Sequence, residues 1–347
     1  MTTRDSGDLT RREAIRLLGA AAAAGFLPAP DLKAGATPAK AVPIVRTILR
    51  DVPPAQITGV TLIHEHISAH ANTSDPAFAW NRDMDLMSDE VRACAKDGVS
   101  CIVDTGHDDL GRSIGELRTI AQRSGMLIVA GGGMHTRPMY TPDTLRKTEE
   151  EIAEDLYRLA ASERWGVIGE MGTGTAVPMD ADERKVLRAA ARVQVRTGLP
   201  IITHVSGGCA QCALDQVDLF ADAGADLTRV VIGHLNDIVD QPAAAPLAIA
   251  KRGACLGFDH SGKPDDPRLQ EYVRTVMTVL DAGYADKVCL SSDFGNQKYL
   301  RKNGGPGISM VMTTFVPKLR QAGVDEATLH TILVENPRRL LTFTPRT

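Results

Sequence analysis

Short apolar runs recur eight times along this chain, at 59–67, 100–106, 126–132, 166–172, 200–205, 230–234, 254–259 and 288–293. Between them lie stretches such as 143–163, 182–197, 268–283 and 309–323, with charged residues on one face and apolar residues on the other, the pattern of amphipathic helices. A strand that is apolar without alternation is buried on both sides, and strands alternating with helices pack as a parallel sheet. Eight such units predict an α/β fold, a (β/α)8 TIM barrel. A doubly wound open sheet is the alternative, but no glycine-rich nucleotide loop joins a strand to a helix, and eight open strands would leave edges to protect. Gly98 and Gly198-Leu199-Pro200 supply helix stops. Ahead of the first unit, a Val/Ile/Thr-rich stretch at 42–49, a Pro53-Pro54 turn and a second run from Ile57 predict a short N-terminal hairpin. No linker interrupts 42–347, so one domain is expected there.

The polar residues at the C-terminal ends of these runs narrow the function, because in a barrel those ends converge on one open face. The first run ends in His64-Glu65-His66, and alternation along a strand points both imidazoles into the barrel and Glu65 away. The fourth ends in Glu170, the fifth in His204, the sixth in His234 and the eighth in Asp293. Four imidazoles and two carboxylates exceed the needs of one catalytic zinc, which takes three protein ligands and keeps one position open. They suit two divalent ions, read as zinc, with Glu170 between them, His64, His66 and Asp293 on one, and His204 and His234 on the other. Two cations about 3.5 to 4 Å apart share a water, lower its pKa from about 15.7 toward neutrality and polarise the substrate oxygen. A single strand histidine is more often a core or surface group; the joint placement at strand ends carries this reading. His70, His107 and His330 have no such placement and read as solvent or packing residues, whereas His135 and His260 follow the third and seventh strands toward the site.

Thr61-Leu62-Ile63-His64-Glu65-His66, Gly166-Val167-Ile168-Gly169-Glu170-Met171-Gly172, Thr203-His204, Ile232-Gly233-His234, Phe258-Asp259-His260, Ser292-Asp293 and Glu335-Asn336-Pro337-Arg338-Arg339-Leu340 together resemble the phosphotriesterase family of the amidohydrolase superfamily. The resemblance spans 44–342 and follows strand order. It implies a binuclear zinc hydrolase that acts on organophosphate triesters, lactones or other esters, and a homodimer, since members are often dimers. The family's bridging ligand is frequently a carboxylated lysine; here Glu170 holds that place, as in the phosphotriesterase homology proteins, which weakens the transfer of organophosphate activity. His135 stands near where better-known triesterases carry an aromatic wall for the leaving group, and the chain is only 4% aromatic. A lactone or carboxylic ester is therefore expected ahead of an aryl phosphotriester, which stays as the alternative. The resemblance also implies a relay in which His260 and Asp237 carry a proton away from Asp293, for which an imidazole titrates in the right range; a histidine packed at the rim is the competing reading. Lys263, Lys298 and Arg301 follow strands seven and eight, where related lactonases hold phosphorylated or carboxylated substrates, and solvated surface charge is the equal alternative. From another class comes an exported, metal-stabilised binding protein without catalysis; an open two-ion site plus Asp293 favours the enzyme, and turnover discriminates.

Residues 1–41 read as an export signal and short linker. Arg11 and Arg12 precede an alanine-rich apolar run from Leu17 to Leu27, and Ala34-Gly35-Ala36 or Ala39-Lys40-Ala41 offers a cleavage site. That run is far shorter than the about 20 residues of a spanning helix, so no stable membrane anchor is expected. The arginine pair resembles the twin-arginine signal, whose machinery carries folded proteins and so suits a metal inserted before export; an ordinary basic amphipathic N-terminus is the alternative. The expected destination is periplasmic or extracellular. A formal charge of −4 with no basic block gives no electrostatic case for nucleic acid or anionic membrane and leaves a small molecule as partner. Six cysteines are spread over the chain, and most read as core thiols; Cys209 and Cys212 form a C-x-x-C that reads as redox-active, a disulfide or half of a zinc site, with no second C-x-x-C to complete one.

Overall fold

The computed structural model describes residues 42–70, 83–238 and 243–346. The export signal expected at 1–41 lies outside the described residues.

A two-stranded antiparallel hairpin, β1 (Val45–Arg46) and β2 (Asp51–Val52), precedes eight strands: β3 (Val60–Glu65), β4 (Val99–Asp104), β5 (Leu127–Ala130), β6 (Ile168–Thr173), β7 (Ile201–Val205), β8 (Val230–Ile232), β9 (Cys255–Phe258) and β10 (Val288–Leu290). Each predicted apolar run overlaps one of these eight, with β4 starting one residue before its run and β6 ending one residue after. They pair in parallel in chain order, β3 to β5 and β6 to β10. Two seams close the ring. Between β5 and β6, the Gly166 N–H donates to the Ala130 carbonyl (2.9 Å) and the Gly169 N–H to the Gly132 carbonyl (2.8 Å). Between β10 and β3, the Asp293 N–H donates to the His64 carbonyl (3.2 Å) and the His66 N–H to the Phe294 carbonyl (3.1 Å). The chain thus forms the predicted TIM barrel.

Inside the barrel, Ile63, Cys101, Val103, Val129, Val167, Ile202, Val231, Cys255 and Cys289 form one cluster, closed at the bottom by Val45, Val52 and Ile57 of the hairpin region with Leu340 and Leu341. The side chains that alternate with them, among them Leu62, Ile102, Ile128, Ile168, Ile201, Ile232 and Leu256, pack outward beneath the helices. Burial on both faces is what makes the strands read as unbroken apolar runs.

Two local expectations are corrected. The hairpin turns at 47–50, where the Thr47 hydroxyl donates to the Arg50 carbonyl at 2.6 Å, and not at Pro53-Pro54; Pro54 instead opens a short 3-10 helix, Pro54–Gln56, where a missing N–H costs nothing. The single helix expected over 143–163 is two, Pro142–Arg146 and Glu149–Ser162, because Thr148 and Glu151 form a capping box that starts a new helix. Helix Ala181–Thr197 matches its pattern, ending on Gly198 with φ 77°. Among the described residues, no helix is long and apolar enough to cross a membrane.

Candidate metal centre

The six expected ligands meet at the C-terminal mouth of the barrel, and Glu170 is their centre. Its Oε1 lies 2.7 Å from His204 Nδ1, 3.0 Å from His234 Nε2 and 3.5 Å from His64 Nε2. Its Oε2 lies 3.5 Å from His66 Nε2, which is 3.1 Å from Asp293 Oδ1. The donor atoms fall into subsets, each close enough to hold one cation: His64 with His66 and Asp293, and Glu170 with His64 and His234 or with His135 and His204.

Strict alternation does not explain how these side chains face inward. Ile63 and Val167 already belong to the barrel interior, which would send His64 and Glu170 outward. Both strands carry an irregularity just there: Leu62 pairs with Ile102 but Glu65 with Asp104, and Ile168 pairs with Ile201 but Met171 with Thr203. Each is one extra residue, a bulge that re-aims the following side chain. His234 and Asp293 leave β8 and β10 with left-handed backbone, φ 58° and 45°. Such a conformation costs a non-glycine residue on the order of 1 to 3 kcal/mol and persists where surrounding structure enforces it, commonly at functional sites.

Charge is balanced among buried groups. Burial would lower the His64 pKa, but the carboxylates of Glu170 and Asp259 outweigh it and hold it well above the usual imidazole range. The same contest, against burial, raises His234 to about 10 through Asp259 and Glu170. Burial would raise Glu170, yet the surrounding imidazoles of His64, His204 and His234 hold it well below the carboxylate range. The cluster therefore stabilises positive charge at its centre, which a proton or a metal cation could supply. The donor geometry fits the cation. His64 Nε2 is fully buried and has no hydrogen-bond partner among the described residues although Glu170 is 3.5 Å away. A buried ring nitrogen without a partner is costly in a protein interior, and a cation shared with Glu170 would satisfy it.

Around the ligands lies a second layer. Asp259, fully buried, places one oxygen 3.0 Å from His64 Nδ1 and the other 2.9 Å from His234 Nδ1, and accepts the His234 N–H at 2.8 Å. In the sequence Asp259 stands out only as the neighbour of His260; its place one residue after a strand end is the available sign. Ser206 Oγ lies 2.9 Å from His204 Nε2. Glu65 does point away from the histidines: it accepts from the Ser291 hydroxyl (2.7 Å) and from the Ser292 and Phe294 N–H groups (3.0 and 2.8 Å), and burial pushes its carboxyl up to about 8.

The residues expected to form a relay are in line. His260 Nε2 lies 2.7 Å from Asp293 Oδ2, His260 Nδ1 lies 2.7 Å from Asp237 Oδ2, and Arg268 donates to Asp237 Oδ1 at 3.0 Å. Lys263 Nζ stands 4.0 Å from Asp293 Oδ2, at the mouth. His135 is there as well, its ring 4.3 Å from that of His204, and burial pushes its imidazole down to about 4. The other two basic candidates are not brought to the cluster. Exposed Lys298 pairs with Asp265 at 2.8 Å. Arg301 pairs with Asp97 at 2.6 Å and lies 3.8 Å from Glu90, fastening its loop to the 90–97 segment. His70 pairs with Glu116 and His330 with Glu335; buried His107 pairs with Asp109 at 2.7 Å and braces the site from behind. Cys209 and Cys212 form a disulfide at the start of helix Ala210–Asp222, and the other four cysteines are buried free thiols.

Comparison with known proteins agrees with this architecture. N-acetyltaurine hydrolase of Danio rerio is 27% identical, over 86% of this chain and 98% of the relative. Among solved structures, the phosphotriesterase homology protein of Escherichia coli with phosphate in its active site superposes with TM-score 0.76 at 26% identity, covering 84% of this chain and all of the other (100%). A mutant of a PTE-like lactonase from Deinococcus radiodurans does so with TM-score 0.74 at 26% identity, covering 86% and 99%. The sequence model of the phosphotriesterase family matches residues 43–341, and the chain belongs to that family, whose members are binuclear metal-dependent hydrolases.

Proposed function

We propose that this chain is a two-zinc hydrolase that cleaves an ester-type bond, a lactone or carboxylic ester carrying a negative charge. The observation that carries the reading is the convergence of six donors around Glu170 beside an aligned Asp293–His260–Asp237 chain, with Lys263 close to Asp293 at the mouth. His64, His66 and Asp293 would hold one ion, His204 and His234 the other, and Glu170 both; when bound, the pair supplies an activated water and a Lewis acid for the substrate oxygen. Asp293 takes up the proton released as the bond to carbon forms. His260, within hydrogen-bond reach, receives it, and Asp237 keeps the imidazole oriented and stabilises its charged form. Arg268 holds Asp237 in place. Lys263 orients an anionic substituent, since charge-assisted hydrogen bonds are short and directional. His135, a polar ring where an aryl group would need an apolar wall, disfavours aryl phosphotriesters.

One observation supports a second reading, an amide substrate: the likeness to N-acetyltaurine hydrolase over 86% of this chain. An amine leaves only with a proton, and His260 can return the one it received. Export through the twin-arginine route belongs to the proposal, supported by Arg11-Arg12 and the short apolar run behind them.

The test is a kinetic panel with the zinc-loaded protein: anionic and neutral lactones, carboxylic esters, N-acyl amino acids and sulfonates, and aryl phosphotriesters. Highest kcat/KM on anionic lactones or esters supports the first reading, and on N-acyl sulfonates the second. Lys263→Ala should raise KM for anionic substrates and leave neutral ones nearly unchanged. A preference for phosphotriesters would reverse the order, and no turnover of any substrate would return the chain to a binding role.

A further inference from the structure

Beyond the six ligands at the strand ends, one more imidazole is built into the centre with unusual care. We infer that His135 is a seventh donor, coordinating the ion held by His204, His234 and Glu170. The inference rests on the two-ion reading above.

Three observations carry it. First, ligand atoms of His135, Glu170 and His204 all lie within 4.8 Å of one another, the spacing of donors around one cation. Second, the backbone of His135 is pinned from both sides. Its N–H donates to Asp109 Oδ2 at 3.0 Å, and Asp109 is itself held by His107 Nδ1 at 2.7 Å. Its carbonyl accepts the Gly172 N–H at 2.8 Å. Gly172 sits on β6 two residues after Glu170, so one strand fixes both donors. A Cβ at Gly172 would collide with the His135 carbonyl oxygen, and only glycine permits this approach. Third, His135 Nδ1 lies 3.3 Å from Thr136 Oγ1, which leaves Nε2 as the nitrogen free to coordinate. Metal-binding histidines are typically oriented in this way, through partners on the other ring nitrogen.

The chemistry gives a reason for the extra donor. The first ion has three ligands of its own, His64, His66 and Asp293, whereas the second has two imidazoles and one shared carboxylate oxygen. With His135 the second also has three protein ligands of its own, the number that catalytic zinc sites usually provide.

The experiment uses metal-free protein reconstituted with Co(II), comparing wild type, His135→Ala and His135→Gln by equilibrium dialysis and visible absorption. Wild type should take up two equivalents. In both variants the first equivalent should bind as in wild type, the second at least about tenfold more weakly, and the absorption of the second should change, because an imidazole has left its coordination sphere. Asp109→Asn, which keeps the ring but loosens its backbone anchor, should fall between. Circular dichroism and melting temperature report whether each variant is folded, and the glutamine variant keeps a polar side chain should alanine destabilise the loop. Wild-type affinity and an unchanged spectrum for the second equivalent in folded variants would overturn the inference while leaving two ions in place. Uptake of one equivalent by wild type would overturn the two-ion reading, and this inference with it.

Discussion

Asp259→Asn is the substitution that should weaken both ions at once. Asp259 shares no donor atom with either proposed ion, yet its two oxygens lie 3.0 Å from His64 Nδ1 and 2.9 Å from His234 Nδ1, and these histidines belong to different ions. Asparagine keeps the size and the carbonyl that accepts the His234 N–H. It removes the negative charge, and its amide nitrogen turns a donor toward one imidazole that needs an acceptor. Loss of such a supporting contact typically costs 10- to 100-fold in metal affinity, about 1.4 to 2.7 kcal/mol. Here loss of the negative charge should weaken both ions, and the ion whose histidine faces the amide nitrogen should weaken more. Stepwise competition with a chromophoric zinc chelator resolves the two affinities. If only one ion weakens, the charge of Asp259 does not support both histidines. If neither does, the bridge between them has no energetic role.

Arg301→Ala should lower melting temperature and leave KM for anionic substrates unchanged, since its partners are Asp97 and Glu90; a selective rise in KM would place it at the substrate after all. The four free thiols should resist a disulfide reagent at pH 8 until denaturant is added, because burial pushes Cys94 up to about 11, Cys101 up to about 12 and Cys289 well above the usual thiol value; rapid labelling of the native protein would contradict this. Exhaustive chelation should abolish hydrolysis, with recovery on adding back two equivalents of zinc; full activity after chelation would end the metal-dependent reading. Replacing Arg11 and Arg12 by lysine keeps the charge and should retain the protein in the cytoplasm, whereas undiminished export would assign residues 1–41 to a general signal peptide.

The barrel was legible because its strands are buried on both faces, and so each was written as an apolar run, five of which end in the expected ligands. His64, Glu170, His204 and Asp293 could be placed at the mouth on that basis alone. What was hidden depends on register and on partners distant in sequence. The bulges before His64 and Glu170 leave no mark in an apolar run, although without them both side chains would face the helices. Asp259 becomes a brace only when β8 and β9 stand side by side. Arg301 read as a free cation because Asp97, some two hundred positions earlier, is not recognisable as its partner. The break at Thr148 could have been read from its capping pair, and a long amphipathic pattern masked it.

The closing seam has a consequence for how the protein is made. His64 and His66 emerge early from the ribosome, but Asp293, their proposed third ligand, belongs to the last barrel strand, and the clasp between these strands needs Glu65 on one side and Ser291, Ser292 and Phe294 on the other. A nascent chain that lacks the final strand therefore has neither a closed barrel nor a complete first metal site. Loading of that site would require that the last barrel strand has been made and has closed against the first. Under the export route proposed above, the same event would mark readiness to leave, and a truncation just before residue 288 should yield a product that neither completes the first site nor is secreted.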